Sequence, residues 1–277
     1  MTEPSIDYVP VGGLGNRMRA IAAAIRLAGQ TGQHVRIVWF RDAGLGCRFD
    51  QLFLPLQAGG VSLSEATPAD YLLRDRPRRR NLFVPRLWQR LAYDLRIDEQ
   101  TTMQGTYAGR DFASLIQGRH TWMASCHYFY GLNVPAGTYD CFRPLPHLQR
   151  RIDAMAQRLG THPVGIHIRR TDHTRAIHES PTEAFIRRMQ QLPADSRFYL
   201  ATDDEHEKET LRKAFPGRVF TAGNKAERSS LSGMEDALVE MYILARTTLI
   251  LGSSGSSFSE TAATIGGIQL EIIGGKE

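Results

Sequence analysis

With 277 residues, 42% of them apolar and 23% charged, the chain has an ordinary globular composition and enough length for two modest domains. Its formal net charge of +5 falls short of a dedicated nucleic-acid binder and fits an anionic substrate, a nucleotide or an acidic surface equally well. Three widely spaced cysteines, Cys47, Cys126 and Cys141, with no CxxC pair, argue against a disulfide framework or a zinc site and make a reducing compartment the expectation.

The opening MTEPSIDYVPVGG has neither the basic nor the apolar region of a signal peptide, and no apolar run approaches the roughly 18–20 residues of a membrane span. A soluble, cytoplasmic protein is expected. Ile6–Val11 reads as a strand that runs into Gly12-Gly13-Leu14-Gly15-Asn16-Arg17. Met18–Ala28 then has helical periodicity and His34–Phe40 is a second strand, which together make a βαβ unit of a parallel sheet. The glycine turn either lets backbone N–H groups approach an anion at a helix N-terminus or serves tight strand–helix packing alone. Asn16 and Arg17 are expected to face the ligand crevice.

From Arg41 to Arg143 the pattern is less regular. Short helices are predicted at Arg48–Leu54, at Ala69–Leu73 and within Phe83–Leu95, where Leu87, Trp88, Leu91 and Leu95 are read as core-facing, with a membrane anchor as the alternative. The basic run Arg74–Arg80 is read as a solvated loop, with an anionic acceptor or membrane headgroups as its alternative use. Thr121–Cys126 is expected to be the last strand of this half. The aromatic cluster His127–Tyr130 is expected to pack rather than stack on a sugar, and Gly131–Pro146 to cross between domains.

The C-terminal half alternates cleanly. Helices are predicted at Leu148–Leu159, Thr182–Leu192, Glu205–Phe215, Met234–Arg246 and Phe258–Ile265, with Ser180 as N-cap of the second. Strands are predicted at Val164–Arg170, Arg197–Ala201, Arg218–Thr221, Thr248–Leu251 and Gln269–Ile272. Such alternation implies a doubly wound α/β domain, in which ligands bind outside the carboxyl ends of the strands. Three of those ends carry polar clusters: His167–Asp172, Thr202–Asp204 and Ser253–Ser257. Arginines can neutralise a diphosphate, and a Gly/Ser loop before a helix can donate to the same oxygens. Carboxylates such as Asp204 or Glu240 can accept from a base or ribose; Asp203 reads equally as a helix N-cap, and Glu240 as a solvent-facing helix residue.

HIRRTD after one strand, LATDD after the next, ALVEMYILARTTLILGSSGSSFSETAA near the C-terminus and GGLGNRMRA near the N-terminus resemble the α1,6-/α1,2-/protein O-fucosyltransferase superfamily. The resemblance covers the C-terminal half almost continuously and about the first forty residues of the other. It implies a GT-B-like α/β fold of two Rossmann-type domains, residues 1–143 on the acceptor side and 144–277 binding the nucleotide sugar, with the donor site in the cleft between them. It implies inverting, metal-independent transfer of fucose from GDP-fucose, with no cofactor, to a hydroxyl of a glycan or lipid-linked glycan, as in a bacterial enzyme. By position, Arg169 holds the diphosphate and neutralises the leaving group, and His167, Arg170 and Asp172 complete that motif; Asp204 and Glu240 meet the nucleoside; Ser256 and Ser257 are the phosphate-contacting serines, with Ser254 in the same donor-binding set; and Gly15 and Asn16, with Gly13, approach the sugar phosphate.

The chain departs from the α1,6 enzymes where they carry a lysine after the motif aspartate, here His173, and a glutamate five residues after it, here Ile177. Glu179 is the candidate base, with Asp172 second. Use of another nucleotide sugar, or a non-catalytic nucleotide-sugar or glycan-binding role, are the alternatives. Nucleic-acid binding is disfavoured because the basic run lacks interleaved aromatics.

Overall fold

A computed structural model describes residues 3–131, 134–171, 174–222 and 229–274, so Asp172 and His173 lie outside the described residues. The chain divides into two compact units, Met1–Arg143 and Pro144–Glu277.

In the first unit, strands β1 (Ser5–Pro10), β2 (His34–Trp39), β3 (Val61–Glu65), β4 (Leu95–Ile97) and β5 (Thr121–Ser125) form a sheet in the order β3-β2-β1-β5-β4. Every pair is parallel. Ile6 and Tyr8 of β1 lie level with Val35 and Ile37 of β2, and all four are buried. Helix α1 (Leu14–Thr31) buries Met18, Ile21 and Leu27. It stops at Gly32, whose left-handed backbone (φ 67°) lets its N–H close on the Ala28 carbonyl. Helices α2 (Pro68–Leu73), α3 (Val84–Ala92), α4 (Glu99–Tyr107) and α5 (Phe112–Ile116) complete the unit.

Within this unit Asp7 accepts from Arg36 Nε at 2.7 Å, from Arg74 Nε at 2.9 Å and from the Tyr93 hydroxyl. Burial pushes the Asp7 carboxyl up, but Arg36, Tyr93 and Arg74 outweigh it and hold it below the usual carboxylate range. This network corrects the reading of Arg74–Arg80 as a solvated loop. Arg74 also reaches Asp70 at 3.1 Å, Arg76 reaches Glu99 at 3.0 Å and Arg78 reaches Asp75 at 2.5 Å; Arg79 and Arg80 are the exposed members. The apolar positions of α3 are corrected as well: Leu87 is 66% and Leu91 78% exposed, so they do not face a core. Leu95 belongs to β4 rather than to the helix, and the 48–54 segment carries only a single 3₁₀ turn at Phe49–Gln51. The aromatics Tyr128 and Phe129 pack, with Phe129 against Phe112 and Tyr8.

The second unit holds β6 (Pro163–Ile168), β7 (Arg197–Thr202), β8 (Val219–Thr221), β9 (Leu249–Gly252) and β10 (Gln269–Ile272), all parallel, in the order β10-β9-β6-β7-β8. Its helices are α6 (Pro146–Leu159), α7 (Thr174–Glu179), α8 (Thr182–Gln190), α9 (Glu205–Ala214), α10 (Leu231–Leu244) and α11 (Ser257–Gly266). Val164, Ile166 and Ile168 are buried with Phe185, Phe198 and Leu200 in the core. Gly252 ends β9 where a Cβ would lie 2.9 Å from the Ser259 hydroxyl and from Leu270, so only glycine lets α11 start this close to the strand.

Each sheet sets its first strand between neighbours from two different stretches of the chain. In the first unit β1 continues to β2 and β3 on one side and meets β5 on the other; in the second β6 continues to β7 and β8 and meets β9. The β1/β5 and β6/β9 crevices are therefore the two topological switch points, where open α/β sheets bind ligands.

Candidate functional site

At the β6/β9 switch point the loop after β9 is sewn to the end of β6. Ser253 N donates to the His167 carbonyl at 3.0 Å, and Arg169 N donates to Ser253 Oγ at 3.1 Å. The next residue is sewn to α7: Ser254 N donates to Ser180 Oγ at 2.9 Å, and Ser254 Oγ donates to Glu179 Oε2 at 2.5 Å. Both donors of Ser254 are thus directed into the fold. Ser180 likewise does not cap α8, since Pro181 occupies that position; its hydroxyl holds the loop. Helix α11 follows, with Ser256 at its N-cap in extended conformation and making no side-chain cap bond. The first-turn amides of a helix have no intrahelical acceptor and sit at the positive end of its dipole, so this end favours an anion. Ser256 is buried and Ser257 half-buried there.

The two arginines have different roles. Arg170 is 8% exposed; its Nε donates to Glu207 Oε1 at 2.7 Å, Nη2 to Thr182 Oγ1 at 2.9 Å and Nη1 to the Arg169 carbonyl at 3.1 Å. Its guanidinium is turned into the unit, with these three acceptors inside the fold. Arg169 keeps its side chain partly accessible, with Nη1 held by Asp203. Asp203 also accepts from Arg170 N at 2.8 Å and from Thr171 Oγ1 at 2.7 Å. Burial raises the Asp203 carboxyl, but the Thr171 hydroxyl, the Arg169 charge and the Arg170 amide outweigh it and keep it below the ordinary range. Asp203 is therefore a clamp on the β6 end and not an N-cap; the cap of α9 is Asp204, whose Oδ1 accepts from His206 N at 2.8 Å.

His167 is buried with its ring stacked on Phe258 of α11, centroids 4.9 Å apart, and its Nδ1 is a buried atom with no hydrogen-bond partner among the described residues. Burial, reinforced by the Arg169 charge and opposed by Asp203, lowers its pKa to about 3, so the ring is neutral at physiological pH. Glu240, half-buried on α10, is raised to about 8 by loss of water around its carboxyl; Asp236 and Asp203 add to the rise, while Lys208 and Arg151 oppose it. Lys208 is itself buried, with Nζ on Glu205 Oε1 at 2.7 Å. Arg169, Asp203, Lys208 and Glu240 make one electrostatically coupled group of the second unit, near the ends of β6 and β7.

At the β1/β5 switch point Gly12 turns the chain at φ +89°, and a Cβ there would meet Asn16 Nδ2 at 2.7 Å. Gly13 is the N-cap of α1 and, lacking a side chain, makes no cap bond; Gly15 is buried. Asn16 is half-buried, with Oδ1 accepting from Arg19 Nη2 at 2.6 Å. Arg17 is fully buried instead of facing a crevice. Its Nε reaches the Gly12 carbonyl at 2.8 Å, Nη1 the Phe40 carbonyl and Nη2 Asp42 at 2.9 Å, and it lies over the Trp39 ring. It fixes the turn to the end of β2.

Ile177 is exposed, and Glu179 at the end of α7 is the carboxylate placed beside the loop after β9. Asp203 reads in the sequence either as a site residue or as an N-cap, while Ser253 and Phe258 were missed. The only signal for them was their place in the same strand-end clusters. Among the described residues no group of three or more His, Cys, Asp or Glu side chains is placed to hold a metal ion.

No family model matches the sequence, and no curated protein does. Solved structures match its fold. NodZ α-1,6-fucosyltransferase soaked with GDP-fucose has 19% identity over 95% of this chain and 93% of its own, with a TM-score of 0.63. The Arabidopsis thaliana FUT1 mutant R284K in complex with GDP has 14% identity over 100% of this chain and 71% of its own, at 0.62. POFUT1 in complex with GDP-fucose has 10% identity over 98% of both chains, at 0.57. Two five-stranded parallel α/β units with this topology give the chain the GT-B-like fold of these fucosyltransferases.

Proposed function

We propose that the protein is an inverting, metal-independent fucosyltransferase that moves fucose from GDP-fucose to a hydroxyl of a glycan or lipid-linked glycan. The observation that carries this reading is the β6/β9 switch point, where Arg169, held by Asp203, stands beside the loop that opens α11. The acceptor oxygen bonds to the anomeric carbon as the bond from that carbon to the β-phosphate oxygen breaks, and GDP leaves with the electron pair. Negative charge grows on the diphosphate, and a fixed guanidinium with a helix N-terminus stabilises it directly. Ser256, Ser257 and the neutral His167 line the same end of the unit. Glu240 and Asp204 accept from the nucleoside, and the Gly13–Asn16 turn contributes to donor binding.

The acceptor proton goes to a carboxylate. Glu179 is proposed for this role because Ser254 holds it beside the loop, with Asp172 as the second candidate. Both units and the cytoplasmic setting of a bacterial glycan pathway belong to the same reading, the first unit taking the acceptor and the second the donor. The test is incubation with GDP-fucose and a panel of glycan acceptors in chelator, following GDP release and the anomeric configuration of the product. Product of configuration opposite to the donor, absent with Arg169→Ala, supports the assignment. Retention of configuration, or activity that survives Arg169→Ala, overturns it.

A further inference from the structure

Helix α3 is mounted the wrong way round for an ordinary surface helix. Such helices turn their apolar stripe inward and their polar face to water. Here Val84, Leu87, Trp88 and Leu91, spaced i, i+3, i+4, i+7, are exposed at 42, 66, 39 and 78%. The inward side holds Pro85 and a polar residue: Gln89 is fully buried, donating through Nε2 to the Asp75 carbonyl at 2.9 Å and accepting from Arg96 Nε at 2.9 Å. The turn into the helix extends the same surface, with Leu82 81% and Phe83 49% exposed. Both take left-handed backbone, φ 50° and 57°, a conformation that costs a bulky residue free energy and persists only where the surroundings impose it.

The charge around this stripe is of one sign. Residues 76–93 contain six arginines and no aspartate or glutamate. Arg76 is paired with Glu99, and Arg78 and the exposed Arg80 with Asp75, whereas Arg79, Arg86 and Arg90 are exposed. Burial lowers the Arg96 pKa, Asp98 opposes this, and Arg86 and Arg90 add to the lowering.

We propose that the 79–92 surface docks on an anionic lipid bilayer, with Leu82, Phe83, Leu87, Trp88 and Leu91 entering the headgroup–acyl boundary and the arginines on the phosphates. An apolar face with an aromatic, carried by a stretch rich in arginine and lacking aspartate and glutamate, is the pattern of an interfacial helix. A protein partner would be met by complementary charges of both signs across a polar rim. The inference is independent of the GDP-fucose reading, because it needs no donor and no acceptor.

Trp88 makes the test direct, since Trp39 and Trp122 are buried at 1 and 0% exposure and leave it as the quencher-accessible tryptophan. Vesicles of phosphatidylglycerol mixed with phosphatidylcholine are expected to sediment with the protein, to shift Trp88 emission to the blue and to shield it from acrylamide. Pure phosphatidylcholine is expected to bind at least tenfold more weakly. The double variant Leu87→Glu, Leu91→Glu is expected to lose at least tenfold in vesicle affinity with thermal unfolding and GDP titration unchanged. Absence of binding to the anionic vesicles overturns the proposal. So does a concentration-dependent dimer that the same double variant dissolves, since the stripe would then be covered by a second copy. Loss of GDP binding in a protein that still binds vesicles strikes only the transferase reading.

Discussion

The two switch points are built on one plan and use arginine in opposite ways. Each unit centres a five-stranded parallel sheet on its first strand, and an arginine follows each: Arg17 in the first turn of α1 after β1, Arg169 directly after β6. In the first unit Arg17 is fully buried among the Gly12 and Phe40 carbonyls and Asp42, so it builds the turn. In the second the work is divided: Arg170 builds, through Glu207 and Thr182, and Arg169 is presented at the strand end under the grip of Asp203. An arginine at a strand end is thus no mark of an anion site by itself. Which hydrogen-bond partners its guanidinium has inside the fold decides the matter.

The largest expected effect separates the two adjacent arginines. Arg169→Ala is expected to lower kcat/KM by about 10²–10³-fold or more, the scale of removing one preorganised transition-state donor, with little change in the urea midpoint. Arg170→Ala is expected to do the reverse in kind. Removing one partner of the buried Arg170–Glu207 pair leaves an uncompensated carboxylate and costs about 3–5 kcal/mol of stability, read by urea denaturation. If Arg170→Ala folds normally and only Arg169→Ala is unstable, the division of roles is wrong.

Of smaller size is the pH dependence set by Glu240. Its pKa of about 8 in the free protein means that the carboxyl is largely protonated at neutral pH. An ionised carboxylate is the better acceptor for nucleoside N–H and O–H groups, so GDP binding is expected to lower this pKa and release a proton. Affinity then rises several-fold from pH 7 to 8 and levels off above, and Glu240→Gln flattens the profile. Calorimetry in buffers of different ionisation enthalpy reads the proton directly. The same shift acts on folding with the opposite sign. The folded protein holds this proton more tightly than the unfolded chain, so this group's contribution to stability falls as pH rises from the ordinary carboxylate range towards about 8.

Smaller again is Ser254→Ala, which removes the hydroxyl that donates to Glu179 while keeping the backbone bond to Ser180, and is expected to cost about 1–3 kcal/mol. Leu87→Glu or Leu91→Glu, at exposed positions, is expected to change stability by no more than about 0.5 kcal/mol. A large loss there would mean that α3 faces a core after all.

The β-branched runs and the breaks of periodicity made most strands and helices readable in the sequence, and the strand-end clusters followed from them. What stayed hidden was direction. Where β6 ends, Arg169 and Arg170 project to different sides of the chain, and neighbours in sequence do not say which side has the acceptors. Asp203 and Asp204 are ambiguous for the same reason: one clamps Arg169 and the other caps α9. The 3.6-residue period of α3 was legible, yet a period does not say which face turns inward; Gln89 and its partners, distant in sequence, settle that. Strands β3 and β4 escaped notice because one alternates with serines and the other has three residues.

The central claim is that the β6/β9 switch point of the second unit binds a guanosine diphosphate through Arg169. Calorimetric titration of the whole chain with GDP, UDP and ADP, in chelator and at fixed salt, tests it most directly, with Arg169→Ala alongside. Binding of GDP in clear preference to the other two, lost in the variant while its unfolding midpoint is kept, is the predicted result. Equal binding of all three nucleotides, no binding, or GDP binding that Arg169→Ala leaves intact would contradict it.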